Sequence, residues 1–444
     1  MPVTSLPNGA RIVTEKVDSV YSAAIDLWVE VGSAYEEALN NGVTHFIEHM
    51  LFKGTGKRDA ESLMEEIEDV GGMVSASTSR DTVKLYGYAL GDALPVVSDI
   101  MLDMALAPRF DAVDFELERK VILDEIDMYA DDPVDVAQDL LYAGMWKGSP
   151  QARPITGGAE EVKALTLQSL RDHFQTYFRP ERMIVSVAGS FDEERLIDPV
   201  SQALSQAFPV ANESAAALSR PQAPAYFAVE ELVDWDTEQA QVALAFPAIS
   251  SLDERQEALQ ILDLCLATSN SSRLFKEVRE KRGLAYSIGS IQHSYRDFGL
   301  YSFGASVSCG NAEAVMSLIF EELENIKKNG LTDREIARAK AQLRTEILTE
   351  KESMAARSTA NASDLMYFGR LSDIGENLAR VEKVDNAQII DLARLIFVDD
   401  YSLVAVGPQN KLKSLFRGAK DSQAGKGHRG RVKFEGKKKE STHQ

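Results

Sequence analysis

The sequence predicts an α+β protein made of two related halves, and three observations predict it. The chain has 444 residues, more than a single hydrophobic core usually serves, so two large domains are expected. Short runs of strand-type residues alternate with longer stretches of helical period. The order of these elements in the first half returns in the second: Leu331–Ile347 echoes Phe110–Ile126, with Glu346 lying 221 residues after Glu125.

In chain order, Ala10–Thr14 and Tyr21–Val31 read as strands, and a stripe of apolar residues at helical spacing begins at Val43. A helix is expected from about Ala60 to Val70, ended by Gly71-Gly72, with strand-type runs at 74–78 and 82–90 after it. Helices are expected over roughly 92–106 and 112–130, the second capped by Asp111 and given an apolar face by Val121, Ile122, Ile126 and Tyr129. Asp132-Pro133 starts another helix, with Asp132 as N-cap and proline at the first position. Met183–Gly189 is a strand, and Phe208–Pro224, rich in Ala, Ser, Asn and Pro without period, is the expected linker. Beyond it, Ala240–Phe246 is a strand, 253–267 and Ser271–Arg282 are helices, 285–293 and 299–308 strands, and 311–328 and 332–349 helices. The expected division is therefore 1–208, a linker at 209–224, a second half at 225–417 and a tail at 418–444.

The most informative stretch is His45-Phe46-Ile47-Glu48-His49. Val43, Phe46, Ile47, Met50 and Leu51 fall on one helical face, which should meet a core. His45, Glu48 and His49 point the other way. Two histidines four apart project from one side of a helix, about one turn apart, so both rings reach one metal ion. Glu48, on the same face, can hold and deprotonate a water there. Asn40 and Asn41 offer N-cap chemistry before the run and Gly54 a stop after it. The chain has six histidines, and two of them are here.

A hydrolytic zinc site normally has three protein ligands and one open position. The best third candidate is Glu125. It lies seven residues after Glu118, two turns along one side of the same helix.

H-x-x-E-H followed by 75 residues and a glutamate resembles the inverted-zincin metallopeptidases: pitrilysin, insulin-degrading enzyme and the mitochondrial processing peptidases. The wording Gly42-Val-Thr-His45-Phe-Ile-Glu48-His49-Met-Leu-Phe-Lys-Gly-Thr55 is closest to the processing-peptidase beta-subunit-like bacterial branch, and the resemblance runs to about residue 417. It implies two homologous halves, each a mostly antiparallel β-sheet packed with α-helices, forming a clam-like shell. It implies one Zn²⁺ per chain on His45, His49 and Glu125, with Glu48 as general base toward a zinc-activated water. Glu118 matches an acidic position just outside the ligands, where it would orient one of them. The first half would be the catalytic one, and the second, which lacks the His pair, an inactive copy.

The same resemblance assigns Arg279 and Tyr286, within Arg273-Leu-Phe-Lys-Glu-Val-Arg279-Glu-Lys-Arg-Gly283-Leu-Ala-Tyr286, to substrate or transition-state binding. On its residues alone the segment also reads as a basic helix end stopped by Gly283. Where the family often has Asn-Ala-x-Thr on an edge strand that pairs with substrate, this chain has Ser75-Ala76-Ser77-Thr78. Main-chain pairing survives that change, whereas the asparagine contact does not. Asp135 and Asp139, one helical turn apart, match acidic positions that receive an arginine just before the cut in processing peptidases, and two carboxylates suit a guanidinium.

Composition bounds the rest. No run of 18 apolar residues exists, so no membrane span is expected. The start lacks both a basic region with an apolar core and an Arg-rich transit pattern. Cys265 and Cys309 lie far apart in apolar contexts and read as free thiols of a reducing compartment, the cytoplasm of a bacterium. The net charge is −21, but 418–444 carries eight Lys/Arg against three Asp/Glu, so the body is near −26. Such a body repels nucleic acid and favours basic substrates. The tail, poor in apolar residues, reads as a disordered, solubilising segment. The expected partners are a peptide or unfolded substrate and a second copy of the chain, with pairing to an inactive relative as the alternative.

Overall fold

The structure is a computed structural model and describes residues 1–207 and 220–416. Most of the expected linker and the whole basic tail lie outside the described residues.

Eleven strands form two sheets among these residues. The first uses β1 (Val3–Ser5), β2 (Arg11–Lys16), β3 (Ser22–Val29), β4 (Met73–Thr78), β5 (Val83–Leu90) and β6 (Met183–Gly189), in the order β1-β2-β6-β3-β5-β4. The second uses β7 (Glu230–Asp234), β8 (Gln239–Ala248), β9 (Ala285–Ser294), β10 (Gly299–Ser308) and β11 (Ser402–Gly407), in the order β7-β11-β8-β10-β9. Without β1 the two orders are the same. Each has one parallel pair, β2/β6 and β7/β11, and is otherwise antiparallel. The α+β architecture of two like halves is thus as expected. β7 and β11 were not foreseen: Glu230–Asp234 does not alternate, and Ser402–Gly407 is buried on both faces.

One face of each sheet packs on its own half's helices. Ile25, Leu27, Val185 and Val187 face the core that holds Phe46, Met101 and Phe115, and Leu244, Phe246, Leu403 and Ala405 face its counterpart. The other face is covered by a helix from the opposite half. Helix Pro133–Met145 lays Ala137, Leu140, Leu141 and Met145 on Ala245, Leu300, Val404 and Val406 of the second sheet. Helix Met354–Tyr367 lays Ala362, Leu365 and Met366 on Val13, Trp28 and Ile184 of the first. It also closes over polar groups: Ser358 donates to the Ser186 carbonyl at 2.9 Å, and Lys84 bridges Thr359 (2.7 Å) and the buried Asp26 (3.1 Å). This exchange fastens the halves into a clam-like shell, because removing either helix would bare an apolar sheet face.

Two helices of the second half differ from expectation. The helix expected at 253–267 is α-helical over Gln256–Asp263 and then widens into a π-turn at Leu264–Thr268. That expected over Ser271–Arg282 has a π-turn at Phe275–Glu280. A period of 3.6 in the sequence does not distinguish such widened turns. Both cysteines are free and buried, and no described helix is long and apolar enough to cross a membrane.

Candidate active site

The motif helix spans Val43–Leu51, and Val43, Phe46, Ile47, Met50 and Leu51 are all buried, as their spacing predicts. Phe46 stacks on Phe115 of helix Ala112–Ala130 with ring centroids 4.6 Å apart, which locks the two site helices together. The expected cap from Asn40 or Asn41 is absent. The N-cap is Gly42, in the left-handed region at φ 92°, with no side-chain cap of its own. A Cβ there would lie 2.6 Å from the Thr156 carbonyl oxygen, so glycine is required twice over. The capping acceptor is Glu36, whose carboxylate takes the N–H groups of Gly42 (2.8 Å) and Thr44 (2.9 Å), while Asn41 donates its amide to the same carboxylate. Burial pushes the Glu36 carboxyl up to about 7 against the pull of these donors.

Helix Ala112–Ala130 starts on Asp111, which accepts from the N–H groups of Val113 and Asp114 as expected. Its buried residues are Phe115, Glu118 and Ile122. Val121, expected on the apolar face, is 49% exposed, and Glu118 takes the inward place at 5%. A carboxylate so buried needs partners. It has two: His49 Nδ1 at 3.0 Å and Lys53 Nζ at 2.7 Å.

His45, His49 and Glu125 converge. Glu125 Oε2 lies 3.7 Å from His45 Nε2 and 3.6 Å from His49 Nε2. They are the one group of three potential metal-binding side chains among the described residues whose ligand atoms all lie within 4.8 Å of one another. Ligands at about 2.1 Å from a tetrahedral zinc stand roughly 3.4 Å from each other, so the donor set and its spacing fit that ion. Glu118 holds His49 through Nδ1, leaving Nε2 for a metal. Tyr129, four residues on from Glu125, donates to its Oε1 at 3.1 Å and leaves Oε2 free in the same way. Burial, and secondarily the neighbouring His49, lower the His45 pKa to about 3, so its ring is neutral, as a ligand must be.

Glu48 is held by the Thr78 hydroxyl, which donates to Oε2. Burial raises its carboxyl above the usual range, partly offset by that hydrogen bond. Thr78 ends β4, whose only neighbour in the sheet among the described residues is β5, so the Ser75–Thr78 run lies on a sheet edge there. Asp132 caps helix Pro133–Met145 through the Val134 N–H. On that helix, Asp135 and Asp139 add, after burial and Glu125, to the rise of the Tyr129 phenol. Desolvation raises both aspartates; Asp132 adds to the rise at Asp135, and Arg80 opposes it at Asp139. The buried Arg80 stacks 3.9 Å from the Tyr142 ring centroid and donates to the Gln151 carbonyl.

Of the two residues expected from the second half, Tyr286 is 76% exposed and Arg279 lies over the ring of Phe275. Sequence reasoning missed Glu36, Lys53, Arg80 and the role of Tyr129. Lys53 and Tyr129 had a signal, four residues after His49 and Glu125 respectively; Glu36 and Arg80 act across loops and had none.

The chain is similar to known proteins along nearly its whole length. Residues 11–159 match the profile of "Insulinase (Peptidase family M16)" and residues 164–343 that of "Peptidase M16 inactive domain". An uncharacterized zinc protease of Streptomyces coelicolor is 35% identical over 91% of this chain and 89% of its own. A probable mitochondrial-processing peptidase subunit beta of Arabidopsis thaliana is 29% identical over 91% of this chain and 78% of its own. Among solved structures, a protease from Helicobacter pylori superposes with a TM-score of 0.84 at 21% identity, over 92% of this chain and 99% of that one.

Proposed function

Because the chain belongs to the insulinase family, peptidase family M16, we propose that it is a zinc-dependent endopeptidase for peptides or short unfolded, basic segments. One observation carries the proposal: His45, His49 and Glu125 aim one ligand atom each at a common point, with Glu48 on the same helix face. When bound there, zinc supplies a Lewis acid for the scissile carbonyl and for the attacking water.

Glu48 takes the proton of that water and later gives it to the leaving amine. Its raised carboxyl suits a group that must both accept and return a proton, and Thr78 fixes one of its oxygens so that the other faces the reaction. Substrate adds to the free edge of β4 by main-chain pairing at Ser75, Ala76, Ser77 and Thr78. Arg279 and Tyr286 donate to the oxyanion from the second half, 225–417. One such donor is typically worth ~10²–10³ in rate. Asp135 and Asp139 favour arginine two residues before the cut. The chain works as a homodimer with one zinc per chain, in the reducing bacterial cytoplasm that suits its two free, buried thiols.

Glu48→Gln tests the reading: zinc stays bound, measured by elemental analysis, and cleavage is lost. Substantial residual peptidase activity sinks the assignment. A second reading, a subunit that acts only with a different partner chain, is favoured by the match of residues 164–343 to the profile of "Peptidase M16 inactive domain". Activity of the purified chain alone, with its mass in solution, decides between them.

A further inference from the structure

The motif helix carries its first proposed ligand on its third residue, yet nothing at its own start caps it. Glu36 does so from outside. It is 3% exposed, and both its oxygens are committed: Oε2 accepts from the Gly42 N–H and the Asn41 amide, each at 2.8 Å, and Oε1 accepts from the Thr44 N–H at 2.9 Å. Asn41 is pinned in turn by the Pro154 carbonyl at 3.1 Å, and the Arg153 guanidinium donates to the Glu36 carbonyl. On the opposite side Gly42 lies against Thr156 and Gly157 so closely that neither glycine could carry a Cβ. Thr44 is held a second time by its hydroxyl, 3.0 Å from His173 Nε2. The first turn is therefore clamped from three directions, and His45 is the next residue.

We propose that Glu36 is a positioning residue of the metal site: by accepting the N–H groups of Gly42 and Thr44 it sets where the first turn begins and so where His45 stands relative to His49 and Glu125. The inference rests on the zinc-peptidase reading above. Only a carboxylate can serve here, because it accepts at both ends. A glutamine in the same place has one oxygen and one NH₂, so either the Gly42 or the Thr44 N–H is left buried and unpaired, or the turn moves to find water. The positive end of the helix adds to the preference for an anion.

Glu36→Gln and Glu36→Asp in the whole chain test this. Three quantities are read: the zinc dissociation constant by competition with a chelator, the thermal midpoint of the metal-free protein, and kcat and KM at saturating zinc. Residues behind metal ligands typically matter 10–100-fold, so Glu36→Gln should raise the zinc dissociation constant by about tenfold or more. It should lower kcat more than it raises KM, while the metal-free protein still unfolds cooperatively. Glu36→Asp, which keeps two acceptors, should recover part of the affinity, and carries the test alone should the glutamine variant not fold. A glutamine variant with wild-type zinc affinity and a lower midpoint overturns the inference, because Glu36 would then serve stability only. Wild-type chain that binds no zinc would instead remove the peptidase reading on which the inference rests.

Discussion

Helix Ala112–Ala130 of the first half is capped by Asp111, and helix Asp333–Glu350 of the second is capped by Thr332, 221 positions later. At the same interval the buried Phe115 and Ile122 become the buried Ile336 and Leu343. The site residues do not follow. Buried Glu118 becomes buried Ala339, and half-buried Glu125 becomes the exposed Glu346. The exchanged helices repeat the lesson. Asp132 and Ser353 cap both, but Asp135 and Asp139 correspond to Ala356 and Ala360. Caps and core contacts are needed wherever the fold is built, so they appear twice. A buried or clustered carboxylate costs stability unless something pairs with it, so the loss of three of these four in the second half, and the exposure of the fourth, is what a site confined to the first half would leave.

The largest effect should come from breaking this contrast at its centre. Glu125→Ala removes one of the three proposed ligand atoms and should reduce zinc content to near background by elemental analysis. Glu346→Ala, the same change 221 residues on, should leave zinc content and activity at the wild-type level. Equal losses in both variants would mean that the two positions are not functionally distinct.

A smaller effect is expected where the contrast concerns substrate. Asp135→Asn/Asp139→Asn makes this helix resemble its neutral counterpart. It should lower kcat/KM for peptides with arginine two residues before the cut by about tenfold relative to arginine-free peptides, the order expected for a charge-assisted pair of about 1.5 kcal/mol. Asp135 should carry more of this than Asp139, whose charge already faces Arg80. An unchanged ratio of the two substrates removes the arginine preference.

Much of this was legible because it is local. Two histidines four apart, two glutamates seven apart, Asp111 and Asp132 before their helices, and the apolar stripe from Val43 to Leu51 are all set within a few turns of one helix. What was not legible depends on contacts between distant segments. Asn40 and Asn41 had the right chemistry for a cap, but the backbone at Gly42 turns left-handed and hands that task to Glu36. Val121 fits an apolar face by spacing, yet Glu118, paired to His49 and Lys53, occupies the inward position. The hydroxyl of Thr78 on Glu48 joins a sheet edge to a helix 30 residues away. The exchange of covering helices leaves no mark in a linear pattern, since an apolar face reads the same whichever sheet it covers.

The smallest effect lies beneath the motif helix. Helix Leu167–Tyr177 begins at the cap Thr166 and helix Asn386–Ile396 at the cap Asp385, and the caps align His173 with Leu392, both buried. The second half thus shows an apolar solution to the place where the first half buries an imidazole against Thr44. Burial lowers the His173 pKa to about 3 from an ordinary value of 6.5. The unfolded chain binds a proton below 6.5 that the folded chain refuses. The stability tied to neutral His173 is therefore complete above pH 6.5 and is lost as pH falls from there toward 3. His173→Leu copies the second half and removes that dependence. The stability of the metal-free wild type relative to this variant, from urea unfolding, should fall by about 1.4 kcal/mol for each pH unit below 6.5. Other titrating groups, His45 among them, are common to both proteins and cancel. A difference that stays constant between pH 7.5 and 5.5 would show that His173 takes up its proton in the folded chain at the same pH as in the unfolded one, and that the two halves come to differ here in charge as well as in polarity below that pH.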